Sequence, residues 1–165
     1  MNISLEDIEI RSDIRPGDLG YVMHRHGRNY ALENQYGVAF EMYVGEGLCE
    51  FYRNYDPKKD RVWICEHQEQ IVGFLLLMHR SVETAQLRYF YLEKAYRGIG
   101  LGGKLMQLYL EFLQKAGYQS AYLWTTQEQS VAAHLYAKYG FVLSETKESS
   151  LFGKRLEEHR YDLLL

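Results

Sequence analysis

The stretch Leu92-Glu-Lys-Ala-Tyr-Arg-Gly-Ile-Gly-Leu-Gly-Gly-Lys104 decides how this chain is read. The run before it, Thr84 to Leu92, is dense in Leu, Tyr and Phe and predicts a β-strand. After it, Leu101, Leu105, Leu108, Phe112 and Leu113 recur at helical spacing, with Lys104, Gln107, Glu111 and Gln114 opposite, and Gly117 stops the helix. Between strand and helix lie Gly98, Gly100, Gly102 and Gly103. Glycine lets the backbone approach a ligand closely, and a helix N-terminus presents N–H groups with a partial positive charge. No Asp or Glu occurs from Lys94 to Leu110, whereas Lys94, Arg97 and Lys104 do. Strand, glycine turn and acid-free helix start together favour an anion, a phosphate above all.

Working outward, the middle of the chain is a run of strands. Arg61 to Glu66 is rich in β-formers, Gln68-Glu69-Gln70 is a polar turn, and Ile71 to His79 is a continuous apolar run. Towards the N-terminus, Asp7 to Ser12 alternates Ile8 and Ile10 with charge, as a half-buried strand does. Pro16-Gly17-Asp18 opens a helix over Tyr21 to Asn34, and Phe40, Val44, Leu48, Phe51 and Tyr55 mark a second that Asp56-Pro57 ends. Towards the C-terminus, Tyr118 to Thr125 reads as strand, Ser130 to Tyr139 as a short helix, and Phe141 onward as strand again. In that short helix Val131, Leu135 and Tyr139 make the expected buried stripe, with Tyr136 beside it. The pattern predicts an α/β layered domain, a central twisted mixed sheet flanked by helices, spanning residues 1–165 as one unit.

Composition narrows the function classes. The chain of 165 residues is 47% apolar and 25% charged, as globular proteins are, which excludes a disordered or fibrous chain. Nineteen basic against 22 acidic residues give a net charge of −3, a poor match to a nucleic-acid binder. The longest apolar run, Phe74 to Met78, is too short to span a bilayer, and the N-terminus shows no secretory pattern. Cys49 and Cys65 sit in no metal or redox spacing. A cytoplasmic protein with no metal, no nucleic-acid partner and no membrane partner is the expectation.

The glycine loop fits two familiar phosphate motifs badly. A P-loop needs GxxxxGK followed by Ser or Thr, and Leu105 follows Lys104. A dinucleotide fingerprint needs GxGxxG and an acidic residue after the next strand begins, and Tyr118 to Thr125 has no acid. Arg97-Gly-Ile-Gly100-Leu-Gly102 instead resembles the (Arg/Gln)-x-x-Gly-x-(Gly/Ala) loop of the GNAT (Gcn5-related) N-acetyltransferases. Downstream, Ala132-x-x-Leu135-Tyr136-x-x-x-Gly140-Phe141 is similar to that family's A-x-x-L-Y-x-x-x-G-F helix, with the intervening strand in place. Two positions depart from the family's habit: Lys94 stands where Pro is common, and Gln129 where Asn is frequent.

The resemblance implies an enzyme, an acyltransferase, that moves an acetyl group from acetyl-CoA to a primary amine by direct attack. It implies that Arg97, Gly98, Gly100, Gly102 and Gly103 hold the pyrophosphate, that backbone at Leu92 polarises the acetyl carbonyl, and that Gln129 meets the pantetheine arm. Tyr136 becomes the proton donor to the departing thiolate. Acetyl-CoA is then a co-substrate, the partner is a small-molecule or peptide amine, and the edge made by the C-terminal strand leaves pairing of two copies, a homodimer, open. A non-catalytic module that binds or senses acyl-CoA, or a regulator subunit, is the alternative.

The acceptor's side is less legible. Glu33 and Glu41 lie in the segment that covers the acceptor cleft in this family and are either bases or solvated charges. Tyr21, Tyr30, Tyr36 and Tyr43 either line a pocket for a cationic amine or pack the helices. His24 and His26, two apart on a helix, do not share a face and so make no metal pair, and His134 reads as a surface histidine.

Overall fold

The computed structural model describes residues 3–165. Among them, the elements run β1 (Glu9–Arg11), α1 (Asp18–Asn34), α2 (Val38–Arg53), β2 (Arg61–His67), β3 (Gln70–His79), β4 (Thr84–Leu92), α3 (Leu101–Ala116), β5 (Ser120–Thr126), α4 (Ser130–Lys138), β6 (Val142–Ser149) and β7 (Leu156–Leu164). The strands follow the hydrogen-bonded order β1-β2-β3-β4-β5-β7-β6 in one mixed sheet, the α/β architecture expected. The chain forms two compact units that interleave in sequence. One takes the segment ending at Asp13, Pro57–Ala121 and Leu164–Leu165; the other takes Ile14–Asp56 and Tyr122–Leu163.

In the first unit, β3 is buried from Val72 to Met78, which explains why its sequence is continuously apolar rather than alternating. Ile64, Phe74, Leu75, Leu76 and Leu77 are wholly shielded. On α3 the buried arc holds Leu101, Leu105, Met106, Tyr109, Phe112 and Leu113. Trp63 of β2 meets that arc, its ring 6.1 Å from Tyr109 and 6.2 Å from Phe112. The expected stripe named Leu108, which is only half-buried; Met106 and Tyr109 widen the contact instead. The polar turn before β3 places Gln68 and Glu69 at φ 50° and 64°, as a two-residue hairpin turn demands. Asp60, 1% exposed, accepts hydrogen bonds from the His79 backbone N–H at 2.6 Å and from His79 Nδ1 at 2.9 Å, so its burial is compensated.

In the second unit, α1 and α2 are joined by aromatic packing: Tyr30 lies 4.9 Å from Phe40, and Tyr36 5.0 Å from Phe40. Two sequence expectations are corrected here. Val131 is 85% exposed, and the buried residue of α4 is Tyr136, not the proposed Val131–Leu135–Tyr139 stripe. The buried position lies one residue from the expected stripe, because a nine-residue helix has too few turns for apolar spacing to fix its phase. The strand expected from Phe141 to the C-terminus is two strands, β6 and β7, paired antiparallel from Val142↔Asp162 to Ser149↔Leu156. Phe152 and Gly153 lie in the turn between them, with Gly153 at φ 86°.

His26 of α1 is 3% exposed, and its Nδ1–H donates to the Val22 carbonyl at 2.9 Å. Burial pulls its pKa down to about 4 from 6.5, outweighing that hydrogen bond. Between pH 6.5 and 4 the unfolded chain therefore takes up a proton that the folded chain refuses, and stability falls as pH falls through that window. The loss attributable to this group is about 3 kcal/mol. His26→Phe keeps a ring against Tyr30 but removes the titration, so its denaturant-unfolding free energy should decline less steeply than wild type's from pH 6.5 to 4. Parallel slopes for the two proteins would remove His26 from the acid response.

Candidate functional site

The sequence-predicted anion loop occupies one end of the first unit. After β4, the chain makes a short 3-10 turn at Lys94–Tyr96 and enters α3 at Leu101. Tyr96 is anchored by a 2.8 Å hydrogen bond between its hydroxyl and His67 Nδ1 of β2. Gly98 and Gly100 sit at φ 83° and 89°, a region that side chains rarely adopt. A Cβ at Gly98 would meet nothing within 4 Å, and one at Gly100 only Leu5 Cδ2 at 4.0 Å. These glycines are thus demanded by backbone conformation, and they leave open space above it. The helical ladder takes in Lys104 N–H, which donates to the Gly100 carbonyl at 3.0 Å, and the helix N-terminus carries a partial positive charge. Gly102 and Gly103 lie in that turn and are half-exposed; Lys94, Arg97 and Lys104 are exposed around it. An open cradle, two glycines at positive φ and a helix N-terminus fit a phosphate group.

The strand leading into the loop carries a feature that the sequence did not announce. Phe74 pairs with Tyr91, but Leu76 pairs with Arg88, so Tyr89 and Phe90 of β4 oppose the single residue Leu75 of β3. This is a β-bulge, and Tyr89 stands in it at φ 55°, uncommon for a non-glycine residue. Beyond the bulge, Glu93 N–H donates to the Val72 carbonyl at 2.8 Å. Neighbouring residues of a strand point their backbone groups in opposite directions, so the N–H and C=O of Leu92 face away from β3. The Leu92 carbonyl accepts Arg97 Nε at 2.9 Å, which ties that arginine to the strand end. No residue pattern reports a bulge of this kind; only the pairing register does.

In the second unit, Tyr136 is 5% exposed and packs 6.1 Å from Phe141 and 6.4 Å from Tyr161, ring to ring. Burial pushes its phenol pKa well above the ordinary value, so the hydroxyl keeps its proton at neutral pH. Gln129 caps α4, and its Nε2 donates to Asn34 Oδ1 at 3.0 Å. Tyr36, from the α1–α2 connection, shares a 2.9 Å hydrogen bond with Thr126 Oγ1 at the end of β5. Burial raises the Tyr36 pKa also. Its ring stacks towards Tyr30 and Phe152, and Lys154 Nζ lies 5.6 Å from its centroid while pairing with Glu128. This Tyr36–Thr126–Glu128–Lys154 group escaped sequence reasoning because its members are up to 118 positions apart, from Tyr36 to Lys154 (154 − 36 = 118).

The remaining candidates separate. Of the tyrosines named for a cation pocket, Tyr30, Tyr36 and Tyr43 join the aromatic cluster with Phe40 and Phe152, whereas Tyr21 is exposed on α1. Glu33 is exposed, and Glu41 packs over Gly27, where an added Cβ would lie 2.8 Å from Glu41 Oε2. His24 and His134 are exposed, and His26 is buried, so the two α1 histidines do not share a face. Cys65 is wholly buried and its thiol is pushed up to about 12, which makes it unreactive. Among the described residues, no three metal-ligating side chains gather, and no helix is long and apolar enough to cross a membrane.

The family model "Acetyltransferase (GNAT) family" matches residues 29–141. A mycothiol acetyltransferase of Corynebacterium glutamicum strain R is 33% identical over 78 residues, 47% of this chain and 27% of its own length. The chain thus spans only about a quarter of that relative. An acetyltransferase from Streptococcus agalactiae 2603 superposes with a TM-score of 0.76 at 20% identity, covering 98% of this chain and 100% of its own. A GNAT family acetyltransferase from Elizabethkingia anophelis, solved with acetyl-CoA bound, superposes with a TM-score of 0.67 at 14% identity, covering 97% and 99%. With more than half of its residues matched by the family model and its fold shared along nearly the whole length, the chain belongs to the GNAT acetyltransferase family.

Proposed function

We propose that residues 1–165 form one cytoplasmic N-acetyltransferase domain that moves an acetyl group from acetyl-CoA to a primary amine by direct attack. The observation that carries this is the open glycine cradle running into α3, with Gly98 and Gly100 at positive φ. In this reading the amides of Gly98, Gly100, Gly102 and Gly103 take the pyrophosphate of acetyl-CoA. Arg97 adds positive charge from a position fixed by its bond to the Leu92 carbonyl. The Leu92 N–H, turned away from β3, donates to the thioester oxygen, and Gln129 offers its amide to the pantetheine arm. Donors set in place before the reaction stabilise charge as it develops on that oxygen.

Tyr136 gives its proton to the departing thiolate as the C–S bond breaks, and regains one from the attacking nitrogen, which loses a proton as it becomes the amide. Burial that raises a phenol's pKa also disfavours a sulfur anion formed in the same surroundings, so the proton stays put until the thiolate appears and then transfers. The attacking amine must arrive neutral, because an ammonium nitrogen has no lone pair to attack with.

Two measurements test this reading. Acetyl-CoA should raise the melting temperature of the wild-type chain in proportion to RT ln(1 + [L]/Kd). Gly100→Asn and Gly100→Asp share the strain of a side chain at φ 89°, but only Asp adds a negative charge where phosphate sits. The Asn variant should keep part of the thermal shift and the Asp variant none; no shift in folded wild type at millimolar acetyl-CoA would sink the proposal. Tyr136→Phe keeps the ring against Phe141 and Tyr161 and should lower kcat by about 10² to 10⁴. Its acetyl-CoA Kd should stay within a few-fold of wild type, and an unchanged kcat with chemistry rate-limiting would return Tyr136 to a packing role.

A further inference from the structure

A buried carboxylate in the second unit is left half-satisfied. Glu158 of β7 is 7% exposed. Its Oε2 faces Lys147 Nζ at 3.7 Å, an ion pair too long for a hydrogen bond. Its Oε1 is shielded from solvent and has no hydrogen-bond partner among the described residues. Lys147 Nζ is shared with the Trp124 ring, whose centroid lies 4.2 Å from it. Leaving a carboxylate oxygen unbonded inside a protein is costly, so such an atom marks a place where a donor is expected.

The surroundings indicate which donor. Gln127 N–H donates to the Glu157 carbonyl at 3.0 Å, and Glu157 N–H donates to Gln127 Oε1 at 2.6 Å. This register sets Thr126 opposite Glu158, on the same face of the β5–β7 pair. Thr126 Oγ1 in turn holds the Tyr36 hydroxyl, whose ring packs against Phe40 and Phe152 at 5.0 and 5.3 Å. The face thus offers a carboxylate oxygen, two hydroxyls and an aromatic wall. An anion would be repelled by Glu158, and an apolar group would leave Oε1 unbonded. An ammonium group supplies N–H donors to the carboxylate and is attracted to the rings. Lys154 shows the second preference at work, its own ammonium lying over Tyr36.

We propose that Glu158 Oε1 receives an ammonium group of the acceptor other than the nitrogen that is acetylated, so that the acceptor carries a second, cationic amine and its carbon chain lies against the Tyr36–Phe40–Phe152 rings. The assignment rests on the acetyltransferase reading and adds to it the charge class of the acceptor and the side chain that selects it.

The test is calorimetric titration of the full chain, with and without saturating coenzyme A, using 1,4-diaminobutane, butyrate and 1-butanol as probes. The diamine should bind wild type, and butyrate and butanol should not. Glu158→Gln should weaken diamine binding by roughly 10- to 100-fold, the range of a lost charge-assisted hydrogen bond. Glu158→Asp, shorter by one methylene but still charged, should recover part of it. Melting temperature without ligand, and coenzyme A affinity, should change little in either variant, which separates recognition from folding. Equal diamine affinity for wild type and Glu158→Gln, butyrate binding as tightly as the diamine, or no diamine binding by wild type would each overturn the assignment. Wild type that binds the diamine through Glu158 but never coenzyme A would overturn the acetyltransferase reading instead, and the cation site would stand without it.

Discussion

The extra residue in β4 is the constraint on which the rest of the first unit depends. Side-chain and backbone directions alternate along a strand, so a one-residue change in register reverses every group beyond it. With Tyr89 and Phe90 sharing one partner position, the phase of β4 shifts before Tyr91, and Leu92 ends with its N–H and C=O turned away from β3. Remove the bulge, and those two groups would pair with β3 like any interior strand residue. The cost is a tyrosine at φ 55°, of the order of 1 to 3 kcal/mol. Its neighbours offset that cost: Tyr89 is 9% exposed, and the Arg88 guanidinium lies 4.7 Å from its ring centroid. The strained residue thus lies in the strand that runs directly into the glycine loop.

That site also depends on an absence of bulk next door. Gly73 pairs with Leu92, and a Cβ there would come within 2.6 Å of Leu92 Cδ2. The small residue lets the leucine side chain lie down on β3, which fixes the last residue of β4 just before the chain turns. Arg97 then closes the turn on the Leu92 carbonyl, and Tyr96 is pinned to His67. The stretch that leads into the glycines is therefore held by named contacts while Gly98 and Gly100 face open space.

How much of this was legible follows from how each part is encoded. The strand–glycine–helix succession from Thr84 to Ala116 is contiguous, and its boundaries in the structure match those read from residue pattern at β4 and at the Gly117 stop. The longer helices were readable because apolar spacing repeats over several turns. The nine-residue α4 was not, and its stripe was placed on Val131 when the buried ring is Tyr136. The β6–β7 hairpin was missed as two strands because β6 carries no alternation to find: it is exposed at every position but its last. An edge strand open on both faces has no reason to alternate.

The two halves of the candidate chemistry differ in the same way. An anion site made of amides is written in one short segment, because glycine and a helix start are all it needs. A cation site made of side chains has to be gathered: Tyr36 from a helix connection, Thr126 from the end of one strand, Glu158 from another. Each of these residues alone is unremarkable in sequence, a tyrosine among fifteen and a glutamate in a charged strand. What distinguishes Glu158 is burial with one oxygen unbonded, a property of the folded state alone. On the proposed function, the donor site is written in one contiguous segment, whereas the acceptor site is gathered from residues that only the fold brings together.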